Sequence, residues 1–138
     1  MIIMHLVNDR PLPRLIGPAL AEHLRVMPAV IVTGSRQAGK STLVQNFAPA
    51  SRQYLTLDDL DVLHAARTDP SVLVGGSIPI TLDEVQRAPH LLQVVKRAID
   101  MDREPGRYLL TGSANLLMMR QATETLAGRA SYLTLWPM

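Results

Sequence analysis

The feature that most constrains this chain is a short apolar run that breaks into a glycine loop. Ala29-Val30-Ile31-Val32-Thr33 is continuously apolar up to its last residue, the pattern of a strand buried on both faces. Gly34-Ser35-Arg36-Gln37-Ala38-Gly39-Lys40-Ser41 follows at once and matches G-x-x-x-x-G-K-[ST]. Leu43, Val44 and Phe47 then line one face of a helix that Pro49 ends. Strand, loop and helix in that order are the context the pattern requires. Gly34 and Gly39 let the backbone bend so that successive N–H groups of the loop, through Ser35, Arg36, Gln37 and Ala38, face one concavity. The helix opening near Lys40 adds unpaired amides and the positive end of its dipole. The expected chemistry is capture of a polyphosphate, with Lys40 on the β- and γ-phosphates and the Ser41 hydroxyl on Mg²⁺. Thr42 is expected near the α-phosphate through its amide or hydroxyl. The bland alternative is a helix N-terminus with an accidental glycine pair.

The same alternation of strand and helix runs through the rest of the chain. The pattern predicts strands over Gln53–Leu57, Ile78–Leu82, Arg107–Thr111 and Ser131–Leu135. A helical stretch is expected around Leu60–Ala66, a short helical turn or loop from Asp69-Pro70 through Gly75-Gly76, and an amphipathic helix on which Leu91, Leu92, Val95, Ala98 and Ile99 share a face, stopped near Glu104-Pro105-Gly106. Residues 1–28 read as a lead-in segment with one helix, on which Ile16, Leu20 and Leu24 recur at helical spacing. Residues 29–138 read as the core. Strands separated by helices argue for right-handed crossovers, hence a three-layer α/β domain around a mostly parallel sheet of about five strands.

Ile80-Thr81-Leu82-Asp83-Glu84 carries the second element of chemistry. Carboxylates at the C-terminal end of a buried parallel strand lie where open α/β sheets bind ligands. Asp83 is expected to hold Mg²⁺, usually through water, and Glu84 to polarise the water that attacks the γ-phosphate. Pro79 cannot donate to a ladder, so the strand must accommodate it at its start. The third element is Leu109-Leu110-Thr111-Gly112-Ser113-Ala114-Asn115. A polar residue there can contact the attacking water or the γ-phosphate; Thr111, Ser113 and Asn115 are the candidates, and Ser113 is favoured over the others. A turn cluster merely rich in small polar residues is the competing explanation.

Composition narrows the function classes. The chain has 138 residues, enough for one domain with a real core and too few for a second substantial one. Its apolar runs fall far short of the roughly 20 residues needed to span a bilayer, and Asn8-Asp9-Arg10 interrupts the N-terminal run early, against a secretory signal. Zero cysteines exclude disulfide scaffolds and thiol chemistry. No membrane partner and a cytoplasmic location are the expectation. Net charge is +2, arginines are scattered and aromatics are 4%, so a nucleic-acid footprint is not indicated. His5, His23, His64 and His90 share no metal-ligand spacing.

In this order, Gly34–Thr42 (GSRQAGKST), Leu82–Gln86 (LDEVQ), Leu110–Ser113 (LTGS) and Leu126–Arg129 (LAGR) resemble the prokaryotic AAA-type P-loop ATPases sometimes called archaeal-ATPase-like. The resemblance covers nearly the whole chain, including Leu57-Asp58-Asp59 and Asp69-Pro70. It implies ATP and Mg²⁺ binding with Lys40, Ser41, Asp83 and Glu84 in the roles above, Ser113 as sensor and Gln86 beside the acids. It further implies that Arg129 approaches a phosphate, in cis or from a neighbour; a solvated arginine or one salt-bridged to Glu124 is the ordinary alternative. Members of that family continue beyond the strand after LxGR. The chain stops at Trp136-Pro137-Met138, so a truncated member, a split-gene product or a minimal module is expected, with self-association or a separate C-terminal region as partner. Trp136 then packs against missing structure or covers its own sheet edge. The leading expectation is hydrolysis of ATP to ADP and phosphate. The alternatives are a nucleotide-binding switch or interaction module with negligible hydrolysis, and a phosphotransferase to a small acceptor.

Overall fold

The computed structural model describes residues 3–6, 12–34, 40–48, 50–113 and 116–135. Of the residues singled out above, Asn8, Asp9, Arg10, Ser35, Arg36, Gln37, Ala38, Gly39, Pro49, Ala114, Asn115, Trp136, Pro137 and Met138 lie outside that set, as do the side chains of His5, Ile16 and Ser41.

The described residues form six strands and six α-helices, which alternate except where the fourth helix follows the third directly. They are β1 (Ile3–Leu6), α1 (Leu12–Val26), β2 (Ala29–Gly34), α2 (Lys40–Gln45), β3 (Gln53–Thr56), α3 (Leu60–Thr68), α4 (Pro70–Val74), β4 (Ile80–Asp83), α5 (Leu91–Met101), β5 (Tyr108–Gly112), α6 (Leu116–Thr125) and β6 (Ala130–Leu135). All strand pairs are parallel, in the order β1-β6-β2-β5-β4-β3. Five strands are those expected from the sequence. The sixth, β1, pairs Ile3 with Tyr132 and Leu6 with Leu135, so the lead-in segment contributes a strand to the same sheet as well as its helix.

Alternate residues of each central strand feed two separate cores, one on each face of the sheet. Ile31, Leu110 and Tyr132 join Leu57, Leu92, Val95 and Ile99 on the face covered by α3, α4 and α5. Val30, Val32, Leu109, Leu133 and Leu135 join Leu20, Leu24 and Val44 beneath α1 and α2. Both faces are therefore dry, and the continuous apolar runs of β2 and β5 follow from that. Every residue of β2, β4, β5 and β6 is buried, whereas β3 is exposed or half-buried along its length, as its edge position dictates.

Local chemistry sets the element ends. Asp59 caps α3, its side chain accepting from the Asp61 N–H at 2.9 Å. Pro70 opens α4, where a missing N–H costs nothing. Pro79 stands one residue before β4; its carbonyl accepts from Gln53 N–H, so it joins the ladder without having to donate. At the N-terminal edge of the sheet Arg52 spans three strands, donating to Thr81 Oγ1 and to the carbonyls of Ile80, Gly106 and Arg107. Burial lowers its pKa to about 10, and the carbonyl cage solvates the charge in place of water. Among the described residues no helix is long and apolar enough to cross a membrane.

Candidate functional site

The connections leaving the adjacent strands β2 and β5 run in opposite directions across the sheet. From β2 it passes to the far edge at β3, returns through β4 and β5, and then crosses to the other side of β2 with β6. The C-terminal end of β2 is thus the switch point at which α/β sheets of this kind bind ligands. Gly34 sits there, and the glycine is required by packing. A Cβ at Gly34 would lie 2.8 Å from the Leu135 carbonyl oxygen, and both groups are held in the β2–β6 ladder.

Lys40 opens α2 at the same edge. Its Nζ donates to Glu84 Oε1 at 2.6 Å, with the lysine side chain 1% and the glutamate side chain 4% exposed. The lysine that opens α2 and the acid that follows β4 are therefore one buried ion pair. Such a pair holds its place when it is geometrically tight and its remaining polar atoms are bonded. Gln86 Nε2 supplies one such bond, donating to Glu84 Oε2 at 2.6 Å, and the Ser113 N–H donates to Gln86 Oε1 at 3.3 Å.

Asp83 is held independently. Thr111 Oγ1 donates to Asp83 Oδ1, and the Tyr54 hydroxyl donates to Asp83 Oδ2 at 2.7 Å. Thr111 Oγ1 also accepts from the Glu84 N–H at 3.0 Å, so one hydroxyl fixes both acids. Burial, then the bond to Asp83, pushes the Tyr54 phenol well above its usual pKa, so it remains a donor at any ordinary pH.

The strand order explains why these groups meet. β5 lies between β2 and β4, so its last residues stand between the end of β2 and the acids. Beyond β4 the backbone turns sharply: Glu84 takes φ 64° and ψ 47°, a left-handed conformation that is uncommon for a residue with a side chain. A 3₁₀ turn, Val85–Arg87, follows and folds Gln86 back over Glu84. Backbone strain of this kind persists where surrounding contacts over-determine it, often at functional sites.

The donor set suits Mg²⁺ held jointly with a nucleotide. Asp83 offers a carboxylate next to the Lys40–Glu84 pair, and among the described residues no group of three or more His, Cys, Asp or Glu could form an all-protein cage. Mg²⁺ is commonly bound by one or two carboxylates, phosphates and water. Thr42 is exposed on α2 and lines an open groove with Gly17, Asn46 and Phe47.

The structure does not bring Arg129 to this site within one chain. Arg129 immediately precedes β6, whose first residue pairs with Ala29 at the start of β2, whereas Gly34 pairs with Leu135. The six-residue strand, roughly 17 Å at about 3.3 Å per residue, separates the two ends. The ordinary alternative also needs correction. Arg129 forks onto Asp100, Nε to Oδ1 at 2.7 Å and Nη2 to Oδ2 at 3.1 Å, while Glu124 pairs with Arg120. Ser113 reaches the network through its backbone N–H, and the hydroxyl that contacts the acids is that of Thr111. Tyr54 carries no motif; only the β3–β4 pairing, Thr56 opposite Asp83, brings it within reach of the acid.

Comparison with known proteins agrees with this architecture. Residues 27–138 match the family model described as an AAA domain. The uncharacterized proteins Mb2031c of Mycobacterium bovis and Rv2008c of Mycobacterium tuberculosis are each 38% identical to the chain over 118 residues, 84% of this chain and 26% of theirs. The chain thus spans about a quarter of the length of these relatives. Among solved structures, the Walker-type ATPase PABY2304 of Pyrococcus abyssi superposes with a TM-score of 0.60 at 15% identity, covering 96% of this chain and 54% of that one. That likeness is one of fold, a P-loop α/β sheet. The family match covers all of the strands from β2 onward, and with it the chain belongs to the AAA domain family, as an ATPase-like nucleotide-binding core.

Proposed function

We propose that the chain binds ATP with Mg²⁺ and hydrolyses it to ADP and phosphate. The observation that carries this reading is the 2.6 Å contact between Lys40, at the head of the loop helix, and Glu84, at the end of β4. A phosphate-binding lysine and a water-activating acid share one buried point, beside a second acid, Asp83, suited to the metal. In this reading the amides of residues 34–39 and the dipole of the following helix receive the phosphates, and Lys40 exchanges Glu84 for the β- and γ-oxygens. Glu84, released from the ammonium, orients water in line with the γ-phosphate. Thr111 holds Asp83 and the Glu84 backbone at fixed spacing. Asp83 and Ser41 would hold Mg²⁺, which supplies charge neutralisation on the phosphate oxygens when bound. Preorganised donors of this kind carry most of the barrier lowering in phosphoryl transfer. A cytoplasmic location accompanies this reading.

A second reading is a nucleotide switch with negligible turnover. Its support is that Glu84 stands engaged by both Lys40 and Gln86. Arg129 belongs to neither reading within one copy; a phosphate contact for it requires a second molecule. A Mg²⁺-dependent ATPase assay over a series of protein concentrations separates these readings. Hydrolysis requires that Lys40→Ala lose ATP binding and that Glu84→Gln bind ATP while turning it over at only a small residual rate. Equal rates for wild type and Glu84→Gln would remove the assigned role of Glu84. Binding without turnover in the wild type supports the switch. A rate per molecule that rises with concentration would bring in a group from a neighbouring copy.

A further inference from the structure

We propose that Gln86 is a positioning residue that aims the Glu84 carboxylate and links it to the loop following β5. The inference rests on the reading of Glu84 given above and deepens it. Gln86 is half-buried and uses both ends of its amide. Nε2 donates to Glu84 Oε2 at 2.6 Å, and Oε1 accepts from the Ser113 N–H at 3.3 Å. The reverse orientation of the amide would set carbonyl against carboxylate and NH₂ against N–H, so these partners select one orientation. A side chain two residues from the acid reaches back only because of the local backbone. Glu84 is left-handed, the turn Val85–Arg87 follows, and Val85 is buried beneath it as an anchor.

The division of labour on Glu84 is what gives Gln86 its role. Lys40 occupies Oε1 and Gln86 occupies Oε2. A nucleotide that draws Lys40 onto its phosphates removes the ammonium from Oε1 and leaves the bond at Oε2 in place. The carboxylate then keeps its direction at the moment its charge is released from the lysine. Because the same amide accepts from Ser113, any movement of the β5 loop towards a phosphate is transmitted to the acid through one side chain. Glutamine alone supplies both a donor and an acceptor at this reach: glutamate lacks the donor, methionine lacks both, and asparagine is one methylene short.

The test uses the full chain, with Gln86→Met and Gln86→Glu made in the wild-type and Glu84→Gln backgrounds and read by steady-state and single-turnover ATP hydrolysis. Gln86→Met should lower kcat by roughly 10- to 100-fold, the range for a hydrogen bond to a charged group, while KM for ATP changes little. In the Glu84→Gln background it should add no further loss, since both changes act on one carboxylate. Gln86→Glu places like charges together and should lose at least as much. Exchange of the Ser113 amide, followed by NMR without nucleotide, should accelerate in Gln86→Met and stay slow in Gln86→Glu, which keeps the acceptor. Four results would overturn the proposal: an unchanged kcat in Gln86→Met, a loss carried entirely in KM, a full additional loss on top of Glu84→Gln, or equal Ser113 exchange in all variants. A wild-type rate in Glu84→Gln itself would remove the underlying reading of Glu84 and the proposal with it, and is distinct from those four.

Discussion

Lys40 and Glu84 neutralise each other in the interior, 2.6 Å apart, at the point where the loop helix α2 meets the end of β4. Removing the lysine has two consequences. On the proposed reading it removes the phosphate ligand, and it also leaves a buried carboxylate whose cation has gone. Lys40→Ala should therefore lower the stability of the nucleotide-free protein by on the order of 3 kcal/mol as well as abolish ATP binding. Thermal unfolding is the check: a drop of roughly 10 °C is expected. Lys40→Ala with Glu84→Gln should recover much of the melting temperature and none of the binding. A single variant as stable as wild type would show that the pair contributes nothing net to the fold.

Gly34 links the loop to β6 through packing. With its Cβ position 2.8 Å from the Leu135 carbonyl oxygen, Gly34→Ala must push apart two hydrogen-bonded central strands. Overpacking of this kind typically costs about 1–3 kcal/mol. The same displacement moves the first residue of the loop, so nucleotide affinity should fall together with the melting temperature. Gly76→Ala, where nothing lies within 4 Å, serves as the control and should leave affinity intact. Equal affinity for Gly34→Ala and wild type would contradict the close approach.

Much of this arrangement was legible because it is local in sequence. Lys40 follows from the loop pattern, and Asp83 and Glu84 from their place at the end of an apolar run. Thr111 and Tyr54 were harder, since their role depends on which strands become neighbours. Thr111 meets the acids because β5 inserts beside β4, and Tyr54 because β3 pairs with β4 in one register. The strand β1 is four residues long and carries no period of its own to announce it. Arg129 was legible in principle. It precedes the last strand, and in an all-parallel sheet the residue before a strand lies at the edge opposite the ligand.

Tyr54 holds one oxygen of the acid assigned to Mg²⁺, and its phenol stays protonated because burial and Asp83 raise its pKa. Tyr54→Phe keeps the ring and deletes that donor. Asp83 retains Thr111 and gains freedom at Oδ2. A net loss of about 1 kcal/mol in stability is expected, and the Mg²⁺ concentration giving half-maximal nucleotide binding should rise several-fold. Titrating Mg²⁺ at fixed nucleotide measures this, with the binding of nucleotide in EDTA as reference. A changed affinity in EDTA with an unchanged Mg²⁺ midpoint would show that Tyr54 acts on the nucleotide and not on the metal acid.

Arg129 clamps α5 to the turn before β6 through its fork on Asp100, at the edge of the sheet away from the loop. Arg129→Ala should therefore leave the ATP affinity of the isolated chain unchanged, and a weakened affinity would contradict this placement. Its effect on stability should be small, because the pair lies at the surface, with Asp100 about half exposed and Arg129 a quarter exposed, where salt screens it. That effect also carries a defined pH dependence. Hydrogen bonds from Arg129, aided by its charge and those of Lys96 and Arg103, hold the Asp100 carboxyl below its usual value. A depressed folded-state pKa stabilises above the unfolded value of about 3.9, and the contribution is lost as pH falls through the folded one. The melting-temperature gap between wild type and Arg129→Ala should thus be positive at pH 7 and close as the pH is taken below about 4. Asp100→Asn should show the same gap at pH 7. A gap that widens in acid would place the arginine's effect somewhere other than on Asp100.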